Sequence, residues 1–145
     1  MLMHVAEILD VKGHDVVTLK PGDTLAHAAH VLSTRGIGSV VITSGDDIIL
    51  GILSERDIVR AVANLGAAAL EAPISAHMTK AVKTVVKSDR VRSLMERMTE
   101  GRFRHMPVVE NGRLCGIISI GDVVKSRLGE LEAEASAMRE YIASA

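Results

Sequence analysis

Apolar and polar positions along the chain fall into two successive copies of one pattern. Each copy opens with a short apolar run that reaches a threonine, Thr18 or Thr84. After a polar turn, apolar residues recur at helical spacing: Leu25, Ala28, Ala29 and Leu32, then Val91, Leu94, Met95 and Met98. Such a stripe predicts a helix with one buried face. Asp23 and Asp89 stand where an N-cap is expected, and Gly36 and Gly101 where each helix should stop. Two β-branched runs follow, joined by turn residues (SGDD, ENGR), which predicts a hairpin. The second run passes into another helix, capped by Ser54 or Ser119. Each copy therefore reads β-α-β-β-α.

The two copies align residue by residue. GILSERDIVRAV (Gly51 to Val62) returns as GIISIGDVVKSR (Gly116 to Arg127), displaced by 65 positions. VTLKPGDTL (Val17 to Leu25) matches KTVVKSDRV (Lys83 to Val91) at 66. IGSVVI (Ile37 to Ile42) is matched to HMPVVE (His105 to Glu110) at 68, Ser39 with Pro107, with the loop Thr43 to Leu50 longer than Glu110 to Cys115. An internal repeat dominates any reading of fold. We expect a mixed α/β (α+β) protein of two packed units, residues 1–66 and 74–126, joined by the linker 67–73. A unit that small buries little of its surface alone, so two sharing a core is one plain reason for duplication.

Residues 127–145 depart from the repeat and predict an additional C-terminal helix. From Val124 the apolar positions run Leu128, Leu131, Ala135, Met138 and Ile142, with Glu, Arg and Ser on the other faces. That is a narrow a/d stripe, which either the chain's own domain or a second subunit could cover.

Composition narrows the function. The 145 residues are 48% hydrophobic but only 1% aromatic, and the net charge is -1. Single-stranded nucleic acid is usually bound on aromatic platforms, and duplexes by a basic face; Phe103 and Tyr141 are the only aromatics. Nucleic acid is not an expected partner. No apolar run reaches the roughly 18 residues of a membrane helix. The start of the chain lacks the basic and continuous apolar regions of a signal peptide. A cytoplasmic protein with no membrane partner is the expectation. The single Cys115 lies in an apolar strand and is a poor nucleophile there. His27 and His30 share a helix face, but no third metal ligand stands at useful spacing.

Chemistry concentrates at the repeated Ser-x-x-Asp. As structure, it is a cap: the serine oxygen accepts an amide hydrogen bond and the acid suits the helix dipole. The same helix start presents N–H groups suited to a phosphate. The Ser54 or Ser119 hydroxyl could donate to that phosphate, and the Asp57 or Asp122 carboxylate could accept from ribose hydroxyls. Gly51 and Gly116 would relieve crowding where the chain turns. Both readings stay open on the residues alone.

The order of these motifs resembles a tandem pair of cystathionine-β-synthase (CBS) domains, a Bateman module. The resemblance rests on Thr18, IGSVVI and GILSERDIV in the first copy and on MTKAVKTV, RHMPVVE and GIISIGDVV in the second. It covers roughly residues 4–126. It implies a pseudo-twofold pair whose clefts between the units hold an adenine nucleotide: AMP, ADP, ATP or NAD(H). Carried over by position, it implicates Ser54, Asp57, Ser119 and Asp122 at phosphate and ribose. It places the backbone around Thr18 and Thr84 near the base, with Gly38, Ser39, His105 and Pro107 lining the clefts. Arg56 in the first copy and Arg104 in the second could each meet phosphate. It also implies a non-catalytic energy- or redox-sensing regulator, commonly a homodimer, that signals to a separate effector protein. The alternative is an interaction scaffold whose duplicated motif only caps helices.

Overall fold

The structure is a computed structural model, and residues 3–144 are described. The elements run α1 (Val5–Lys12), β1 (Thr18–Leu19), α2 (Leu25–Arg35), β2 (Ser39–Thr43), β3 (Ile49–Ser54) and α3 (Glu55–Leu65). Two short 3-10 segments follow, Gly66–Glu71 over most of the expected linker 67–73 and Ile74–Ala76 just beyond it. The second copy supplies α4 (Val91–Gly101), β4 (His105–Glu110), β5 (Arg113–Ser119) and α5 (Ile120–Ser144). The expected tail helix is thus the continuation of the helix that begins after Ser119. The chain is mixed α/β, as the duplicated β-α-β-β-α pattern predicts.

Two compact units form, and they do not follow chain order. The first gathers residues 15–83 with 110–115; the second gathers residues 3–14, 84–109 and 116–144. The first unit has a three-stranded sheet, β1 parallel to β2 and β2 antiparallel to β3. All five residues of β2 are buried. Leu25, Ala28, Leu32, Val40, Ile42, Leu53 and Ile74 pack in its core. In the second unit Val5, Leu9, Leu94, Met106, Val108, Ile118 and Val123 are fully buried.

The segment that opens each copy is seated in the other copy's unit. In the first unit, Leu25 N–H donates to Ala72 O (3.0 Å), Ile74 N–H to Asp23 O (2.8 Å) and Ser75 N–H to Pro21 O (3.0 Å). In the second, Val91 N–H donates to Met3 O, Val5 N–H to Asp89 O and Ala6 N–H to Lys87 O, each at 3.0 Å. The bridges Thr24–Pro73 and His4–Arg90 complete the parallel. The motif glycines complete it in packing. A Cβ at Gly51 would lie 2.6 Å from Met78 Sδ and 2.9 Å from Thr79 O. A Cβ at Gly116 would lie 2.7 Å from Leu9 Cδ2. Both glycines are inside strands, so their role is to admit an incoming side chain and not to ease the turn.

Local corrections follow from hydrogen bonds. Asp23 and Asp89 are not N-caps: each carboxylate accepts from the backbone N–H three residues earlier, Lys20 and Val86, at 2.9 Å. Those bonds close the turn before the helix. The cap of α2 is Thr24, whose Oγ1 accepts from His27 N–H, while Arg90 precedes α4 without a side-chain cap. Gly36 does end α2 in the left-handed region, but the corresponding residue after α4 is Arg102. Gly101 instead leaves room for the ring of Phe103.

The strand alignment shifts by two. Leu19 pairs with Ile42 and Val85 with Val108, a displacement of 66 throughout β1 and β2. Ser39 therefore corresponds to His105, Gly38 to Arg104 and Val41 to Pro107. A one-residue irregularity between Ile42 and Thr43 absorbs the change to 65 at the motif glycines. Val41 N–H donates to Val17 O (3.4 Å), a bond that Pro107 cannot make. The contact at Val85 is accordingly an isolated bridge where the first unit has a strand.

The glycine packing generates a test. Thr79 O is backbone and cannot swing aside, whereas Leu9 is a side chain. Overpacking costs about 1–3 kcal/mol, so Gly51→Ala should destabilise more than Gly116→Ala in urea unfolding. Adding Leu9→Val should recover stability for Gly116→Ala. Adding Met78→Ala should leave most of the Gly51→Ala deficit in place.

Candidate functional site

Each unit carries a strand that runs from the motif glycine directly into a helix start. At the end of β3, Ser54 N–H donates to Asp57 Oδ2 (2.9 Å) and Asp57 N–H donates to Ser54 Oγ (3.2 Å). The serine hydroxyl also donates to Asp57 Oδ2 at 3.1 Å. This is a complete capping box, each side chain satisfying the other's orphan amide. After β5, Ser119 N–H donates to Asp122 Oδ2 (2.8 Å) and Asp122 N–H to Ser119 Oγ (3.1 Å). The cap expected from the spacing forms in both copies.

A neighbouring loop frames each helix start. Gly38 O accepts from Glu55 N–H (3.0 Å) and Arg104 O accepts from Ile120 N–H (2.7 Å). The next residues, Ser39 and His105, thereby stand beside Ser54 and Ser119. Ser39 pairs directly with Ser54 across the sheet, so their side chains share a face. Ser39 is 6% exposed, and its Oγ has no hydrogen-bond partner within the protein. An unpaired buried hydroxyl costs about 1–3 kcal/mol, so its position next to a helix start calls for a reason.

The remaining residues take different places. Thr18 is exposed on β1, paired with Val41. Thr84 is half-buried, and its carbonyl accepts from Arg97 Nη2 at 2.9 Å. Arg56 is exposed in the first turn of α3, and Arg104 is exposed before β4. Pro107 is buried inside β4. The structure brings Gly38, Ser39, Ser54 and Asp57 together in the first unit. It brings Arg104, His105, Ser119 and Asp122 together in the second. Cys115 is half-buried in β5. Among the described residues no His, Cys, Asp and Glu gather into a metal-binding group.

Lys12 went unseen in the sequence. Its ammonium donates to Asp122 Oδ2 at 2.7 Å and to Ile117 O at 2.9 Å. No local spacing signals a contact 110 positions away; only the seating of α1 in the second unit creates it. In the first unit the counterpart is looser: Arg60 Nη1 lies 3.9 Å from Asp57 Oδ1, outside hydrogen-bonding distance. The two acids are comparably covered, 13% exposed for Asp57 and 22% for Asp122. They are not in comparable company.

These features match known proteins. Residues 5–64 and 74–129 each match the CBS domain. The chain belongs to the CBS domain family. It is 53% identical to a CBS-domain-containing protein from Agrobacterium tumefaciens, with a TM-score of 0.84, covering 88% of this chain and 95% of that one. It is 32% identical, at a TM-score of 0.73, to a CBS domain protein from Pyrobaculum aerophilum complexed with AMP, covering 82% and 88%. An uncharacterized 17.7 kDa protein of Acidianus ambivalens is 35% identical over 88% of this CBS pair. The chain spans 75% of that relative and between 21% and 63% of several longer ones. Among the described residues no helix is long and apolar enough to cross a membrane.

Titration should report the Lys12 contact. Partial burial pushes the Asp122 carboxyl up, but the Lys12 ammonium and the Ser119 N–H outweigh it and hold it below the ordinary 3.8. A depressed folded pKa contributes stability that is complete above the unfolded value and is lost as pH falls through the folded one. In urea unfolding, the gap between the native chain and Asp122→Asn should be flat at neutral pH and close below about pH 4. Lys12→Ala should narrow the gap at neutral pH. A gap that persists undiminished well below that pH would remove the carboxylate from the account.

Proposed function

We propose that this CBS pair is a non-catalytic regulatory module that binds an adenine nucleotide, with the site of the first unit loading first. The observation carrying this reading is the buried, unpartnered Ser39 hydroxyl beside the Ser54–Asp57 helix start. A helix amino terminus favours a phosphate through its N–H groups and dipole. A nucleotide there would give Ser39 the partner that the protein does not supply. The AMP carried by the 32% identical Pyrobaculum protein supports the ligand class. In the second unit a nucleotide hydroxyl would first have to displace Lys12 from Asp122, which is why we rank that site second. We further infer a homodimer that reports nucleotide state to a separate effector protein.

A scaffold whose motif only caps helices has its own supporting observation, the complete capping box at Ser54. The two readings part on ligand response. Ligand at a hundred times its Kd adds about 2.7 kcal/mol, a rise of roughly 5–11 °C for a chain this size. We expect such a rise with at least one of AMP, ADP, ATP, NAD and NADH. Asp57→Ala should reduce it more than Asp122→Ala. Ser39→Ala should leave the ligand-free protein as stable or more so, yet shrink the nucleotide shift. If none of the five raises the Tm of ligand-free protein, the scaffold reading stands.

A further inference from the structure

Helix α5 has two unlike faces. Val123 and Ser126 are buried and Arg127 and Glu130 are half-buried. This side packs in its own unit, where Arg92 and Arg127 both pair with Glu130, at 3.0 and 2.7 Å. The apolar stripe lies elsewhere: Val124, Leu128, Leu131, Met138 and Ile142 are all exposed, Leu128 by 55% and Ile142 by 66%. From Leu131 to Ser144 every residue is exposed. Isolated helices of this length are marginal in water, and this one keeps a continuous apolar seam.

We propose that this seam is the interface with a second copy of the chain, joined as a parallel, in-register two-stranded coiled coil. The heptad places Leu128, Ala135 and Ile142 at a and Val124, Leu131 and Met138 at d. Charges flanking such a seam set partner and orientation. In a parallel pair, g of one helix meets e of the next heptad in its partner. Arg127 then faces Glu132 and Glu134 faces Arg139, so both pairs attract. Antiparallel packing about the same seam sets Glu132 against Glu132, Glu134 against Glu134 and Lys125 against Arg139, all like-charged. Arg127 is already held by Glu130 in its own chain, so Glu134 and Arg139 carry the choice of direction. Ala135 at a central a position lets the helices approach closely and leaves room for a larger side chain.

The test uses the full chain without nucleotide and is independent of the ligand reading. With Cys115→Ser removing the native thiol, Met138→Cys should oxidise to a covalent dimer. A parallel register sets that position against itself, whereas the antiparallel one sets it against Leu128. Sedimentation should show Glu134→Arg weakening dimerisation several-fold, with Arg139→Glu added to it restoring the native affinity. Ala135→Ile should tighten the dimer, an outcome that no loss of folding can imitate. A chain that stays monomeric at all concentrations overturns this interface and the homodimer with it. A dimer that survives truncation after Glu130, with no Met138→Cys cross-link, overturns the coiled coil and leaves the homodimer standing.

Discussion

The arrangement rests on one packing constraint: each motif strand has a gap over its glycine, and the side chain that fills it comes from the other copy's opening segment. Met78 fills the gap at Gly51 and Leu9 the gap at Gly116. Burying a side chain such as Leu9 completely is worth about 1.5–3 kcal/mol, and backbone hydrogen bonds between the copies accompany each exchange. The exchange is reciprocal, so neither unit can be built from one copy alone. This gives duplication a stronger reason than a shared core. A single copy would leave both its glycine gap and its opening segment without partners. The same strand then delivers Ser54 or Ser119 to its helix, three residues beyond the glycine, so the exchange also fixes where each candidate site begins.

At those helix starts, stability and the proposed ligand chemistry would use the same atoms. The capping box commits Asp57 Oδ2 and the Ser54 hydroxyl to each other and to their backbone amides. A cap of this kind is worth about 1 kcal/mol, so its presence does not argue against a ligand, and its loss would not demonstrate one. Discrimination has to come from groups that the cap does not use. Ser39 is one, because its buried hydroxyl has no hydrogen-bond partner within the protein. Lys12 is another, because its ammonium treats Asp122 as an ion-pair partner and leaves Asp57 untouched. Two copies with like caps therefore become two candidate sites with unequal surroundings.

Much of this was legible wherever the signal is local. Helical and alternating periodicities located the helices and hairpins of the repeat but not α1, and the Ser-x-x-Asp spacing located both caps, because a capping box closes within one turn. The aspartates at 23 and 89 misled for a local reason too: an acid before a helix can close the preceding turn as readily as it can cap. The alignment of Ser39 with Pro107 matched adjacent valines and missed the register shift between Ile42 and Thr43, where the first copy takes up its extra residue. Lys12 and the purpose of the glycines were not legible at all. Both depend on each copy's opening segment being seated against the other copy, and no short-range pattern encodes that.

Helix α5 joins the remaining themes. Its first turn holds Asp122, gripped by Lys12 from α1, and its last turns carry the exposed seam. The element is continuous over 25 residues, about 37 Å at 1.5 Å per residue, and no proline interrupts it. The ion pair at its start and the seam along its length therefore lie on one element. Linkage then imposes a symmetry. Whatever free energy a ligand at Asp122 contributes to one placement of this helix, a partner on the seam that favours the same placement returns to the ligand's affinity. Neither effect can exceed the difference in binding between the two placements. The Lys12 contact sets the reference state from which that difference is measured.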